Sequence, residues 1–284
     1  MPRIPPTLFH RLPTSTFKLS RLLLPTCRTL EQTSNELRWI QTELPSTKWS
    51  TACVLRSRKV PLQYILGTQP FGSIDVKCRP GVLIPRWETE EYTVKIIDMI
   101  RYIEGVRSVV DVCTGSGCVP LLIGSELPQL KVKGIDVSEH ALRLSEENKQ
   151  SLAVDNVSFT YGDVFQNDVL KGEKYDIVIS NPPYIPLTDY ISNEVEPSVR
   201  KYEPKLALVG DLEFYKALVE NVIIPSECKA FVLELGYMDQ VQYTENLLDL
   251  QNVWGTKCYF DSAGKVRCVV GWKRGTEYEI FKDL

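Results

Sequence analysis

From residue 108 onward, short apolar runs alternate with helix-length segments, and this alternation constrains the fold more than any other feature. Strand-like runs fall over 108–113, 132–137, 157–161, 175–180, 230–236, 257–260 and 266–272. Helical segments lie between them over 118–127, 139–152, 212–223 and 238–250. Strands separated by helix-length crossovers assemble as a parallel sheet, because a tight turn cannot join parallel neighbours. The last two runs are joined by Asp261-Ser262-Ala263-Gly264-Lys265, too short for a crossover, so they pair antiparallel. The expectation is an α/β fold: a seven-stranded, mostly parallel, Rossmann-like sheet with helices on both faces and an antiparallel last strand.

The segment ahead of the sheet is different. Leu30, Leu37, Ile40 and Leu44 recur at helical spacing and predict a helix over 29–44, ended by Pro45. A shorter helix is expected over 48–58. Residues 61–86 are punctuated by Pro and Gly and read as a connector with two short strands, turning at Arg79-Pro80-Gly81. An amphipathic helix over 88–103 follows. The domain division is then a basic tail over 1–28, a small helical docking region over 29–66, a hairpin connector over 67–86 and the sheet domain over 87–284.

Charge is unevenly spread along the 284 residues. Residues 1–30 carry Arg3, Arg11, Lys18, Arg21 and Arg28 and no acid, so a net charge of −3 becomes −8 over the remainder. An acid-free opening rich in Ser, Thr and Pro has the composition of a mitochondrial transit peptide, with a plain basic tail as the alternative. The acidic remainder argues against wrapping nucleic acid, and no apolar run approaches a membrane span. The eight cysteines form no C-x-x-C pair and the two histidines are His10 and His140, so no metal site is expected.

Chemistry-bearing residues gather at the ends of the expected strands. The first strand ends in Cys113-Thr114-Gly115-Ser116-Gly117, a strand-to-helix turn open enough for close ligand approach. The first glycine of a G-x-G-x-x-G is Cys113 and the third is missing, which disfavours a dinucleotide. Asp136 ends the next strand, where ribose hydroxyls would lie, and Asp163-Val164 follows the third, where an acid could bind an adenine amino group. Singly, each acid reads as a cap or turn residue. Together, at consecutive strand ends, they point to a nucleoside ligand.

The fourth strand runs into Asn181-Pro182-Pro183-Tyr184. Two prolines fix two φ angles and offer no N–H, so the loop is stiff. It presents a side-chain amide, free carbonyls and an aromatic face, which together can grip a planar –NH2 group. A strand-ending turn is the simpler alternative.

Taken with the connector Pro61-Leu62-Gln63-Tyr64-Ile65-Leu66-Gly67, the stretch Leu83-Ile84-Pro85-Arg86 to Glu88-Thr89-Glu90, Glu203-Pro204 and residues 261–267, these motifs resemble the PrmC/HemK family of release-factor glutamine methyltransferases. The likeness runs from about Arg58 to the C-terminus and is closest to the family's fungal mitochondrial branch. It implies methyl transfer from S-adenosylmethionine to the amide nitrogen of the glutamine in a release factor's Gly-Gly-Gln motif. It implies cofactor contacts at Cys113, Thr114, Gly115, Ser116, Gly117, Asp136, Asp163, Val164 and Asn181. Asn181 and Pro182 would accept the two amide hydrogens with Tyr184 against the amide face, and Pro183, Arg86 and Glu90 would complete the substrate site. A monomer in the mitochondrial matrix, bound to neither nucleic acid nor membrane, is the accompanying expectation. Trp87 stands where the family usually has proline, Cys113 replaces a glycine, and residues 206–211 are a reduced form of a glycine-richer segment. An adenine or guanine amino-group methyltransferase could use the same loop on a flipped base. A cofactor-binding scaffold without catalysis is a third possibility, disfavoured by the intact loop.

Overall fold

The computed structural model describes residue 4 and residues 6–192, 195–249 and 252–284. These fall into two compact units. The smaller takes the described residues up to Thr68 together with Glu196–Tyr202. The larger takes those of Gln69–Val195 and Glu203–Leu284.

The smaller unit is helical. Helices α1 (Phe17–Cys27), α2 (Leu30–Glu43) and α3 (Trp49–Ser57) bury Leu23, Cys27, Leu37, Ile40 and Cys53 against one another. Thr29 caps α2 by accepting from the Gln32 amide at 3.1 Å, which is why that helix begins where it does. Inside the bundle the Glu36 carboxylate takes both Nε and Nη2 of Arg56, at 2.7 and 2.8 Å. Helical structure therefore begins well ahead of the expected residue 29, with a short helix over Pro6–His10 and then α1 from Phe17. The apolar positions of residues 17–27 are what bring this stretch in, despite its basic charge. Residues 196–202 also return to this unit, with the Tyr202 hydroxyl donating to the Arg58 carbonyl at 2.9 Å.

Strands β1 (Thr68–Phe71, from Gln69 on in the larger unit) and β2 (Ile74–Lys77) form a hairpin that turns at Gly72-Ser73 rather than at the expected Arg79-Pro80-Gly81. The reason is turn chemistry. Pro80-Gly81, with Gly81 at φ 94° and the Val82 amide bonded back to Arg79, makes a turn of the Pro-Gly type that redirects the chain without pairing strands. Helix α4 (Trp87–Ile100) follows directly.

The main sheet contains β3 (Ser108–Val112), β4 (Lys131–Asp136), β5 (Val157–Tyr161), β6 (Ile177–Ser180), β7 (Ala230–Glu234), β8 (Trp254–Phe260) and β9 (Val266–Lys273). Their order is β5-β4-β3-β6-β7-β9-β8, with β3 to β7 parallel and β9 antiparallel to both neighbours. Both faces of the central strands are covered, so β3, β6 and β7 are buried nearly throughout and alternate between two cores. Val109, Ile177, Ile179 and Val232 face one core with α4 and α5 (Cys118–Glu126). Val110, Val178, Phe231 and Leu233 face the other, with α7 (Leu212–Ala217). Helix α6 (Glu139–Leu152) is capped by Ser138, and α8 (Met238–Asp249) ends at the last described residue before 250, where the expected helix boundary lies outside the described residues. The segment expected as one helix over 212–223 changes character after Ala217, continuing as a wider turn over Leu218–Ile223.

Candidate active site

The residues that follow the carboxyl ends of β3, β4, β5 and β6 line a cavity of about 260 Å³. Of the expected cofactor residues, Cys113, Thr114, Gly115, Ser116, Asp136, Asp163, Val164 and Asn181 line it. Gly117 does not. A Cβ at Gly117 would lie 2.7 Å from the Phe159 ring and 2.9 Å from Ser145, so this glycine lets the start of α5 pack closely. Gly115 is the opposite case: it has φ 56° and a Cβ there would meet open space. The backbone at Gly115 is thus exposed to a ligand in the cavity.

Asp136 organises this loop. One carboxylate oxygen accepts from the Gly115 amide and the other from the Ser138 amide, both at 2.8 Å. Burial nevertheless pushes its carboxyl above the usual range. The departure at Cys113 has a conformational meaning, because this residue sits at φ 64°. A non-glycine residue in that region costs about 1–2 kcal/mol, partly offset by a stiffer unfolded chain. Cys113→Gly is accordingly expected to change stability by less than about 1 kcal/mol. Cys113→Val places a branched side chain at positive φ and is expected to lose about 1–2 kcal/mol or more, read from urea midpoints.

A second wall of the cavity is the stretch Val82 to Arg86. It is held by one buried carboxylate: Glu203 accepts from the Ile84 amide at 3.1 Å and from Arg86 Nη2 at 2.6 Å. Arg86 lines the cavity with its guanidinium already paired. Glu90 does not line it. That position lies one residue beyond Thr89 on α4, and Thr89 is the side chain of this turn that reaches the cavity.

In the Asn-Pro-Pro-Tyr loop, Asn181 and Pro183 line the cavity, while Pro182 and Tyr184 are outside the lining. The Tyr184 phenol donates to Glu234 Oε1 at 3.2 Å, and its carbonyl is taken by Gln240 Nε2 at 2.9 Å. Asn181 Nδ2 donates to Thr89 Oγ1 at 3.3 Å, and the Thr89 hydroxyl donates to Glu234 Oε2 at 2.7 Å. Among the described residues, nothing donates to Asn181 Oδ1 or to the Pro182 carbonyl. Thr89, Glu203, Glu234 and Gln240 were not singled out by sequence reasoning as site residues. Glu234 carried a usable signal, an acid closing the apolar run Phe231-Val232-Leu233, as Asp136 closes its own strand.

Asp111, fully buried on β3, also lines the cavity. Burial, reinforced by the carboxylates of Asp136 and Glu234, pushes its carboxyl from 3.8 to about 8. Between those values the folded chain holds a proton that the unfolded chain has lost, so stability declines as pH rises from 3.8 through about 8. Asp111→Asn is expected to flatten that decline in a pH series of thermal midpoints.

The cavity suits a nucleoside: the carboxylates of Asp136 and Asp163 are acceptors of the kind that hydroxyl or amino groups require, and Val137, Val164 and Phe165 supply apolar walls. A family model described as methyltransferase small domain matches residues 96–213. The mitochondrial MRF1 N(5)-glutamine methyltransferase MTQ1 of Saccharomyces cerevisiae is 39% identical, over 100% of this chain and 93% of its own length. A release factor glutamine methyltransferase of Clostridium acetobutylicum is 34% identical over 78% of each chain. Among solved structures, the N-terminal domain of human METTL16 in complex with SAH superposes with a TM-score of 0.54 at 19% identity. That match covers 79% of this chain and 83% of the other and shows a shared fold. With the strand-end loop, the amide-bearing loop and a full-length relative in agreement, the chain belongs to the family of release factor N(5)-glutamine methyltransferases, which draw their methyl group from S-adenosylmethionine.

Proposed function

We propose that the chain methylates the side-chain amide nitrogen of the glutamine in the Gly-Gly-Gln motif of a mitochondrial peptide chain release factor. The observation that carries this is Asn181, which lines a cavity of nucleoside-binding character with its Oδ1 receiving no donor among the described residues, followed on the same stiff loop by the Pro182 carbonyl, which lies just outside that lining and receives none either. A primary amide offers two N–H donors on one nitrogen, and two neighbouring acceptors are what such a group requires.

S-adenosylmethionine, when bound, supplies an electrophilic methyl group on its sulfonium. Gly115 and Asp136 would hold it along the loop after β3, with Asp163 and Val164 at its base. The amide nitrogen is a weak nucleophile because its lone pair is delocalised into the carbonyl. Asn181 and Pro182 answer this by orientation, holding both N–H groups so that the lone pair is presented in one direction. Alignment of reacting groups contributes up to about 7–11 kcal/mol. The same acceptors stabilise positive charge as it develops on nitrogen. Among the described residues no histidine lines the cavity, and orientation is the contribution that the loop itself supplies.

The yeast relative is named as mitochondrial, and the acid-free opening of this chain agrees with import. Our reading puts the enzyme in the matrix, acting as a monomer, with any cleaved presequence ending before Phe17, since cleavage at residue 28 would remove a helix that buries Leu23 and Cys27. Among the described residues no helix is long and apolar enough to cross a membrane. The test is radiolabelled methyl transfer with a mitochondrial release factor, the same factor lacking the target glutamine, DNA and RNA in parallel. Label is expected on the first alone. Label on nucleic acid, with binding that collapses on adding salt, would favour the base-amine reading instead.

A further inference from the structure

The Asn181 side chain has a nearly symmetric amide, and rotating it by half a turn would exchange an acceptor for a donor in the cavity. Its orientation is set by residues behind it. Glu234, at the end of β7, is 1% exposed and accepts two hydroxyl protons, from Thr89 at 2.7 Å and from Tyr184 at 3.2 Å. Thr89 is 3% exposed and has a single hydroxyl proton, which goes to the carboxylate. Its oxygen can then only accept. The group that meets it must be the –NH2 half of Asn181, as observed at 3.3 Å, and Oδ1 is thereby turned away from Thr89.

The geometry points to Glu234 and Thr89 as positioning residues that fix Asn181 as an acceptor and so make the site select an amide over a carboxylate. A glutamine presents N–H donors to Oδ1. A glutamate in the same place presents oxygens only, and meets an oxygen. Sites built to hydrogen-bond one group reject analogues that leave a buried polar group unpaired. Replacing Thr89 by valine removes the oxygen and frees Asn181 to rotate. Replacing Glu234 by glutamine lets an amide donate to Thr89, so that the Thr89 proton points to Asn181 and favours the reversed amide. Two chemically different changes at two positions therefore share one signature, which loss of packing alone does not produce.

This inference rests on the glutamine reading above. The experiment uses the full-length chain loaded with S-adenosylhomocysteine and two forms of a mitochondrial release factor, carrying glutamine or glutamate at the target position. Affinities for both are measured by calorimetry, beside kcat and KM for the glutamine form without the inhibitor. The wild type is expected to prefer glutamine by about tenfold or more. In Thr89→Val and Glu234→Gln that ratio falls toward one and kcat drops by about 10–100-fold, while KM and cofactor affinity change little. Thr89→Ser, which keeps the hydroxyl, restores the ratio. An unchanged ratio in Thr89→Val, or Thr89→Ser behaving as valine does, overturns the inference. A wild type that neither binds nor methylates the glutamine form overturns the glutamine reading itself, and this inference with it.

Discussion

Asn181→Ala is expected to lower kcat for amide methylation by about 100- to 1,000-fold, with cofactor affinity within a few-fold of wild type. The magnitude is that of removing one preorganised partner from a developing charge, about 3–4 kcal/mol. Alanine deletes an open acceptor and also leaves Thr89 Oγ1 without the donor it now receives at 3.3 Å. The cofactor loop is anchored elsewhere, by Asp136 on the Gly115 and Ser138 amides, so binding there survives. Cofactor titration and steady-state kinetics on one preparation separate the two effects. Turnover within tenfold of wild type would remove Asn181 from the mechanism.

The second large effect is expected from Gly210→Ala. The Gly210 amide bonds to the Ile185 carbonyl at 3.1 Å, and the Ile185 amide to Leu208 at 3.0 Å, so the segment 206–211 lies directly against the Asn-Pro-Pro-Tyr loop. A Cβ at Gly210 would collide with the Pro183 carbonyl oxygen and approach the Phe214 ring at 2.6 Å. Backbone cannot move aside as a flexible side chain can. Overpacking of this kind costs about 1–3 kcal/mol, equivalent here to a Tm drop of about 2–6 °C. Because the displaced carbonyl belongs to the gripping loop, kcat is expected to fall by about tenfold or more even where the protein remains folded. A variant with wild-type kcat and Tm would show that the loop tolerates displacement. Within this reduced segment, then, one glycine carries a specific steric duty.

How much of this could be read from residues alone differs between elements. The sheet was legible because apolar alternation and crossover length are local properties, and both cores bury the residues that the alternation assigns to them. The strand-end positions of Gly115, Asp136, Asp163 and Asn181 were legible for the same reason. The hairpin turn was misplaced because Pro80-Gly81 is strong turn chemistry of a type that does not join paired strands. Gly117 and Glu90 were assigned to the site by their place in a motif, yet one serves helix packing and the other stands outside the cavity lining.

The partners of the site residues lay beyond such reasoning. Glu203 meets Ile84 across 119 positions of sequence, and Glu234 meets Thr89 across 145. Buried carboxylates find partners through tertiary packing, and no period or turn signal encodes a contact at that separation. By itself, the sequence determined the sheet, the order of its strand-end loops and the presence of a stiff amide-bearing grip. Only the tertiary structure decided which side chains line the cavity and which way the Asn181 amide points. Backbone preference is set by each residue and its neighbours, whereas a hydrogen-bond direction depends on which distant proton donor is already committed.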